Sequence, residues 1–384
     1  MTTIPALHAV LREAAARLAG AGPSFMAPTI GYVPADGMCL AASDGRRPAS
    51  LGICARAVLD FFAGDWRDGD AAVTNDPFCG GVHVGEFTLV RSAAGGAVAV
   101  RARLPDVGGA EAGGIAPAAF DTWGEGARFV PLRIAVGGMP RREALDLLAL
   151  NTRTPRLLRR LLDAMRGEAD RVAIVLGDRA PERTSLEQAR EAARDALARV
   201  RPGEYAAEAR VERPAAGHPV GGGADAGQPA GRPGPAVRLA LTLARGGATL
   251  DFSASDPQEE SPLNSTPAHT LDCALSALAG TLPGFPCHAG ALPVVAVKAG
   301  EGTIASATLP AMTALSPWLT ARAIRRAIGG CLAQAGLRTD PDGWWSAEGA
   351  ASYGAMVDPA MLRLRPELVA EARALEEGLR RAEP

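Results

Sequence analysis

The chain has 384 residues, which at roughly 150 residues per domain corresponds to about two domains, each able to bury its own core. Its 40 Lys and Arg against 42 Asp and Glu leave a formal charge of −2, which excludes a global phosphate-attracting field, and with it nucleic acid as the main partner. With 47 % hydrophobic and 21 % charged residues the composition is globular, and 4 % aromatics beside 45 Gly and 30 Pro imply aliphatic cores and much backbone in turns.

Ile4, Leu7, Val10, Leu11, Ala14 and Leu18 recur at helical spacing, with Thr3 as a cap and Pro5 in the first turn, so an amphipathic helix opens the chain. His8, Arg12, Glu13 and Arg17 interrupt any signal-peptide core. No run approaches the about 20 apolar residues of a membrane span, so no membrane is expected. Cys39, Cys54, Cys79, Cys273, Cys287 and Cys331 form no CxxC pair, and reduced thiols in a cytoplasmic protein are the expectation.

From Tyr32 to Val136 short apolar runs are broken by Gly, Asp and Pro, which predicts strands and loops, including a hairpin from Phe87 to Arg101 that turns between Arg91 and Gly96. Helical periodicity fills Arg141 to Val200: one helix to Ala149, a second after the Thr154-Pro155 start signal, and a third from Thr184-Ser185 with Glu187 and Gln188 offering a capping box. A Gly/Pro/Ala tract then reads as a flexible linker over residues 213–236. Beyond it Val237, Leu239, Leu241 and Leu243 alternate before an Arg245-Gly246-Gly247 turn and a returning strand at Thr249 to Phe252. Helices are predicted at Pro267–Ala279, at Trp318–Ala335 and, charged and Leu-spaced, at Pro366–Glu383. The expected fold is mixed α/β (α+β), with a strand-rich N-terminal region and helical section in 1–212, the linker in 213–236, and a second strand-helix unit in 237–384.

The densest cluster of reactive residues is Thr74-Asn75-Asp76-Pro77-Phe78-Cys79-Gly80-Gly81-Val82-His83-Val84-Gly85-Glu86. Asp76, His83 and Glu86 are O, N and O donors that could converge on one divalent cation, because Gly80 and Gly81 allow a sharp turn. The alternative is an Asn-Asp-Pro turn beside a structural His83. Cys79, four residues before His83, is the thiol with an imidazole close in sequence, and is equally a small buried hydrophobe. Asp106-Val107-Gly108-Gly109 and Trp123-Gly124-Glu125-Gly126-Ala127-Arg128 form glycine-rich loops without a Walker-type Lys, with Glu125 and Arg128 placed for a local ion pair. Asp251-Phe252-Ser253 and Asn264-Ser265-Thr266-Pro267 lead from a strand into a helix, where Thr266 is a cap. His269 and His288 have no partner at metal spacing, and no GxSxG elbow is present.

These blocks are collinear with a known family. Gly69-Asp70 with Thr74 to His83 resembles the GD…NDPyxGGtH segment of the hydantoinase B/oxoprolinase family, which includes N-methylhydantoinase B subunits, 5-oxoprolinase and a large subunit of acetone carboxylase. Arg101-Ala102 with Asp106 to Gly109 resembles RaHHaDiGG, Glu125 to Arg128 resembles EGlRiPP, Asn151 to Pro155 resembles NvRtP, and Asp251 to Ser253 with Pro257-Gln258 and Asn264 resembles DFSGtspQ…gpiNa. The resemblance implies a cytoplasmic subunit that works in a hetero-oligomer with a hydantoinase A-like, ATP-binding partner. Such a complex opens a lactam or hydantoin ring as a cyclic-amide hydrolase, or activates a ketone in the carboxylase branch.

It also implies a divalent metal (Mn, Zn or Fe) held by Asp76, His83 and Glu86, with Asp76, His83 and Asp106 in catalysis and Arg103, Glu125, Arg128, Asp251 and Ser253 toward substrate. The pattern departs at Arg103 and Leu104, which stand at the paired histidines, so a guanidinium is expected beside the site. The family's Gly-rich THxTNTRNTP-like segment has no counterpart. A non-catalytic subunit that scaffolds such a complex is the alternative reading.

Overall fold

The computed structural model describes residues 4–340 apart from 21–25, 45–46, 104–105, 111–115, 117–118, 179 and 214–232. Leu104, most of the predicted linker and the predicted Pro366–Glu383 helix lie outside the described residues.

Helix α1 (Ile4–Gly20) buries Leu7, Leu11, Ala14 and Leu18, the stripe its spacing predicts. The strands β1 (Met26–Pro34), β2 (Ala41–Ala42), β3 (Ala71–Thr74), β4 (Glu86–Ala93), β5 (Gly96–Arg103), β6 (Leu132–Val136) and β7 (Met139–Pro140) form one sheet in the order β2-β1-β5-β4-β3-β6-β7. Every pairing in it is antiparallel. The β4–β5 hairpin closes through Ala94-Gly95, both at positive φ (49° and 74°), so its turn is tighter than the loop expected between Arg91 and Gly96.

Helix α2 (Pro48–Phe61) lies inside the region expected to hold only strands and loops. Pro48 starts it, and buried Leu51, Ala55 and Val58 supply an i, i+4, i+7 stripe. After the single-turn helix α3 (Thr122–Glu125), helix α4 (Arg142–Leu150) precedes α5 (Pro155–Leu176), which packs on β4 and β5 and ties Arg91 to Asp170 at 2.8 Å. Thr154 stands at the N-cap of α5 as expected, but its hydroxyl donates to the Asp106 carbonyl at 3.0 Å and caps no amide.

The second sheet runs β11 (Val295–Lys298), β10 (Gly247–Asp251), β9 (Ala236–Ala244) and β8 (Gly203–Arg210), with β10 and β11 parallel. Helix α6 (Thr184–Ala198) and α8 (Ala321–Gln334) both pack against this sheet, and α7 (Pro267–Thr281) bridges α8 to α2. Arg183, not a hydroxyl residue, is the N-cap of α6; the capping box does not form, and the Ser185 hydroxyl donates instead to the Leu40 carbonyl at 2.9 Å. The unit boundary expected at 212/213 falls inside the second sheet, because β8 pairs with β9 along its whole length and α6 shares that core. The two cores are largely aliphatic, as the composition requires. Among the described residues no helix is long and apolar enough to cross a membrane.

Candidate functional site

Strand parity places Glu86 and Thr88 of β4 on the same face as Arg103 and Arg101 of β5, since Glu86 pairs with Arg103 and Thr88 with Arg101 in the register. The opposite face, with Phe87, Leu89 and Val100, meets the apolar core. The polar face is covered by α2. Arg101 is buried there and donates to Thr88 Oγ1 (2.9 Å), Ser50 Oγ (2.7 Å) and the Gly80 carbonyl (3.1 Å).

The turn after β3 is built by two side chains. Asn75 donates to the Val84 and Ala127 carbonyls at 2.7 Å each and accepts from the Phe129 amide at 2.7 Å, sewing the loop to the 127–129 segment. Asp76 accepts from the Phe78 amide at 3.0 Å and pairs with Arg128 at 2.5 Å. Gly80 follows at φ 82°, where a Cβ would lie 2.5 Å from the Cys54 amide nitrogen. Glycine is therefore demanded twice, by backbone conformation and by packing.

This turn delivers His83 to a buried position, 2 % exposed. Its Nδ1 accepts the Gly85 amide at 3.0 Å, leaving Nε2 as the nitrogen available to a ligand. The Arg103 guanidinium lies against that Nε2, reaches Glu86 Oε1 at 3.4 Å, and stacks 4.5 Å over the Trp318 ring. Arg47 forms a second ion pair with the same Glu86 oxygen. Burial raises the Glu86 pKa, but Arg47, His83, Arg103 and Arg101 outweigh it and hold the carboxyl far below the usual range. Burial, and then Arg103, drive His83 well below 6.5, so the ring is neutral at physiological pH. Burial also pulls Arg103 down to about 10, which leaves it charged.

The donors expected to hold a divalent metal thus each face a cation: Asp76 meets Arg128, Glu86 meets Arg47 and Arg103, and His83 Nε2 meets Arg103. Among the described residues no group of three His, Cys, Asp or Glu side chains is arranged to hold a metal ion. The residues present therefore do not fit the metal, for an electrostatic reason: a divalent cation would be placed against guanidinium charges in a dry site, where like charges repel most strongly. Of the two readings weighed for Cys79, a thiol beside His83 or a small buried side chain, the second fits its surroundings. Its sulfur approaches Asp76 Oδ2 at 3.6 Å, and burial with Asp76 pushes the thiol up to about 12.

The other expected site residues disperse. Asp106 accepts from the Gly108 amide at 2.9 Å and meets Arg153 at 3.3 Å, joining the glycine-rich loop to the start of α5. Glu125 does not pair with Arg128. It is fully buried and accepts from the Thr313 and Ala314 amides at 2.8 and 2.6 Å, so it clasps the segment ahead of α8, and burial lifts it to about 7. Asp251 and Ser253 form a local turn at the end of β10, with the Ser253 amide 2.9 Å from Asp251 Oδ1. Neither is hydrogen-bonded to Asp76, His83 or Glu86.

Residues of α7 complete the centre, and of these only Asp272 gave no signal in the sequence. Asp272 of α7 accepts from the Ala49 and Ser50 amides at 3.0 and 3.2 Å, capping α2 across the interface, and burial raises it to about 6. His269, one turn earlier, is buried and pushed down to about 3 by burial and Arg47. Thr266 caps α7 through the His269 amide as expected and also donates to the Gly81 carbonyl at 2.9 Å. Chemically the assembly is a desolvated network with fixed positive charge, able to orient polar groups but closed around its imidazole.

Comparison with known proteins gives this geometry its context. The crystal structure of the ATP-dependent caprolactamase from Pseudomonas jessenii is similar, with a TM-score of 0.70 at 20 % identity, over 86 % of this chain and 60 % of that one. The nucleotide-free structure of acetone carboxylase gives 0.66 at 17 %, over 86 % and 48 %. The chain thus spans less than two thirds of the length of either, and at these identities the likeness is one of fold. No curated protein matches it in sequence. The model of the hydantoinase B/oxoprolinase family matches residues 33–358, and the chain belongs to that family.

Proposed function

We propose that this chain is the B-type subunit of an ATP-dependent complex that acts on a lactam, a hydantoin or a ketone, alongside an ATP-binding, hydantoinase A-like partner in a cytoplasmic hetero-oligomer. Family membership carries the reading, and the two similar structures, both described as ATP-dependent enzymes, support it. In this reading the partner binds ATP, and this chain contributes a frame of two sheets. In the buried centre Arg103 does the charge-neutralising work that a cation would do for Glu86.

The closed centre favours a second reading, a subunit that scaffolds chemistry done elsewhere in the complex. His83 and Glu86 are 2 % and 6 % exposed, and Arg103 and Trp318 wall the imidazole. One experiment separates the readings: the complex with its partner is assayed with ATP and a panel of lactams, hydantoins and ketones, with His83→Ala and Glu86→Gln as variants. Turnover lost in variants that still assemble supports a catalytic centre here. Turnover retained in them makes this chain the scaffold.

A further inference from the structure

The C-terminal stretch of the sequence and one face of the first unit carry matching patterns. Residues 366–383 lie outside the described residues, and their sequence sets Leu368, Ala372, Leu375 and Leu379 on one stripe when projected at 100° per residue. On that projection Glu371, Glu376 and Glu383 fall within about 80° of the stripe, whereas Arg373, Arg380 and Arg381 fall beyond about 100°. The surface complementary to such a stretch is apolar along its middle and basic at its borders.

The pair of helices α4 and α5 presents that surface. Leu147 and Leu150 stand one turn apart on α4 and are 52 % and 51 % exposed. Residues 141–160 hold six arginines against two acidic residues, Glu143 and Asp146. Asp146 pairs with Arg159 across the two helices, so Leu150, one turn further on α4, stands level with Arg156, one turn back on α5. Arg156 and Arg160 are both exposed, and Arg160 has no ion-pair partner among the described residues. By contrast, the open groove beside Phe78, Leu271 and Leu309 is lined by no charged side chain among the described residues, and offers the glutamates nothing.

We propose that residues 366–383 dock as an amphipathic helix on the α4–α5 face of the same chain. Leu368, Leu375 and Leu379 lie on Leu147 and Leu150, and the flanking Glu371 and Glu376 meet Arg156 and Arg160. Length permits it: the 26 residues from Asp340 to Pro366 span up to about 85 Å when extended, more than the about 50 Å across a body of this size.

The test uses the full chain with a photo-crosslinking side chain, Leu150→benzoylphenylalanine, and peptide mass spectrometry to locate the adducts. Ile174→benzoylphenylalanine, on an exposed position about 27 Å from Arg156 along α5, is the control for random collision. The expected result is an adduct to residues 366–383 within the monomer, about ten-fold more abundant from position 150 than from position 174. Arg156→Glu with Arg160→Glu is expected to cut that adduct about three- to ten-fold, and adding Glu371→Arg with Glu376→Arg to restore it. Melting temperatures near wild type keep misfolding out of the comparison. Equal adducts from the two positions overturn the site, and a yield unchanged by the charge reversals overturns the pairing. Adducts found only in crosslinked dimers overturn docking within one chain in favour of a contact between copies.

Discussion

Replacing Arg103 by Met is the sharpest perturbation of the centre. The guanidinium is 8 % exposed, reaches Glu86 at 3.4 Å and stacks 4.5 Å over Trp318. Breaking a buried pair by removing one partner costs about 3–5 kcal/mol, since a charge is left stranded. Here the lower end applies, because Glu86 keeps Arg47. Loss of the desolvated cation–π contact adds about 1–2 kcal/mol, and Met recovers part of it by packing. The net expectation is a destabilisation of about 3 kcal/mol in urea unfolding at pH 7.

The double variant with Glu86→Gln is expected to be more stable than the sum of the singles by about 1–3 kcal/mol, as for groups in direct contact. Glu86 has a depressed pKa in the folded protein, so its stability contribution is present above about pH 4.3 and is lost as pH falls below it. Arg103→Met raises the folded pKa and shrinks that loss, so the gap to wild type narrows below about pH 4. A single variant within about 0.5 kcal/mol of wild type, or strict additivity in the cycle, refutes the reasoning.

Asn75→Ala strips three hydrogen bonds from backbone groups at the turn after β3; it is expected to cost about 3 kcal/mol or more in urea unfolding, given about 1–3 kcal/mol for each buried group left unpaired. Gly80→Ala is expected to lower the melting temperature by several degrees, because it adds left-handed backbone strain of about 1–2 kcal/mol to a clash with Cys54. Glu125 is raised to about 7 when folded, so its contribution is complete below about pH 4.5 and is lost as pH rises through 7. Glu125→Gln removes that slope, and relative to wild type the variant gains about 2–3 kcal/mol between pH 5 and 8, measured by unfolding across pH.

The pattern of strands and helices was legible where periodicity was local. The α1 stripe, the Thr266 cap and the alternation in β9 all stand where the residues put them. Helix α2 was also written in the sequence, in Pro48 and the Leu51, Ala55, Val58 stripe, but the surrounding Gly-rich strands masked it. The site was harder to read because its decisive partners are distant in sequence. Arg128 lies three residues from Glu125, yet it pairs with Asp76. Arg103 meets Trp318, and Asp272 caps α2 from the other unit. No spacing rule connects such residues, since only the packing of α7 against α2 and of the segment ahead of α8 against β5 brings them together. The family pattern did flag position 103, where a cation stands among expected metal donors.

The central claim, that the guanidinium of Arg103 takes the place of a metal at His83 and Glu86, is tested most directly by elemental mass spectrometry. The chain is purified together with the proposed ATP-binding partner, equilibrated with Mn, Zn and Fe, and desalted, with His83→Ala prepared alongside. The account predicts the same substoichiometric metal content in both. Near-stoichiometric metal in the wild type that disappears in His83→Ala would contradict it.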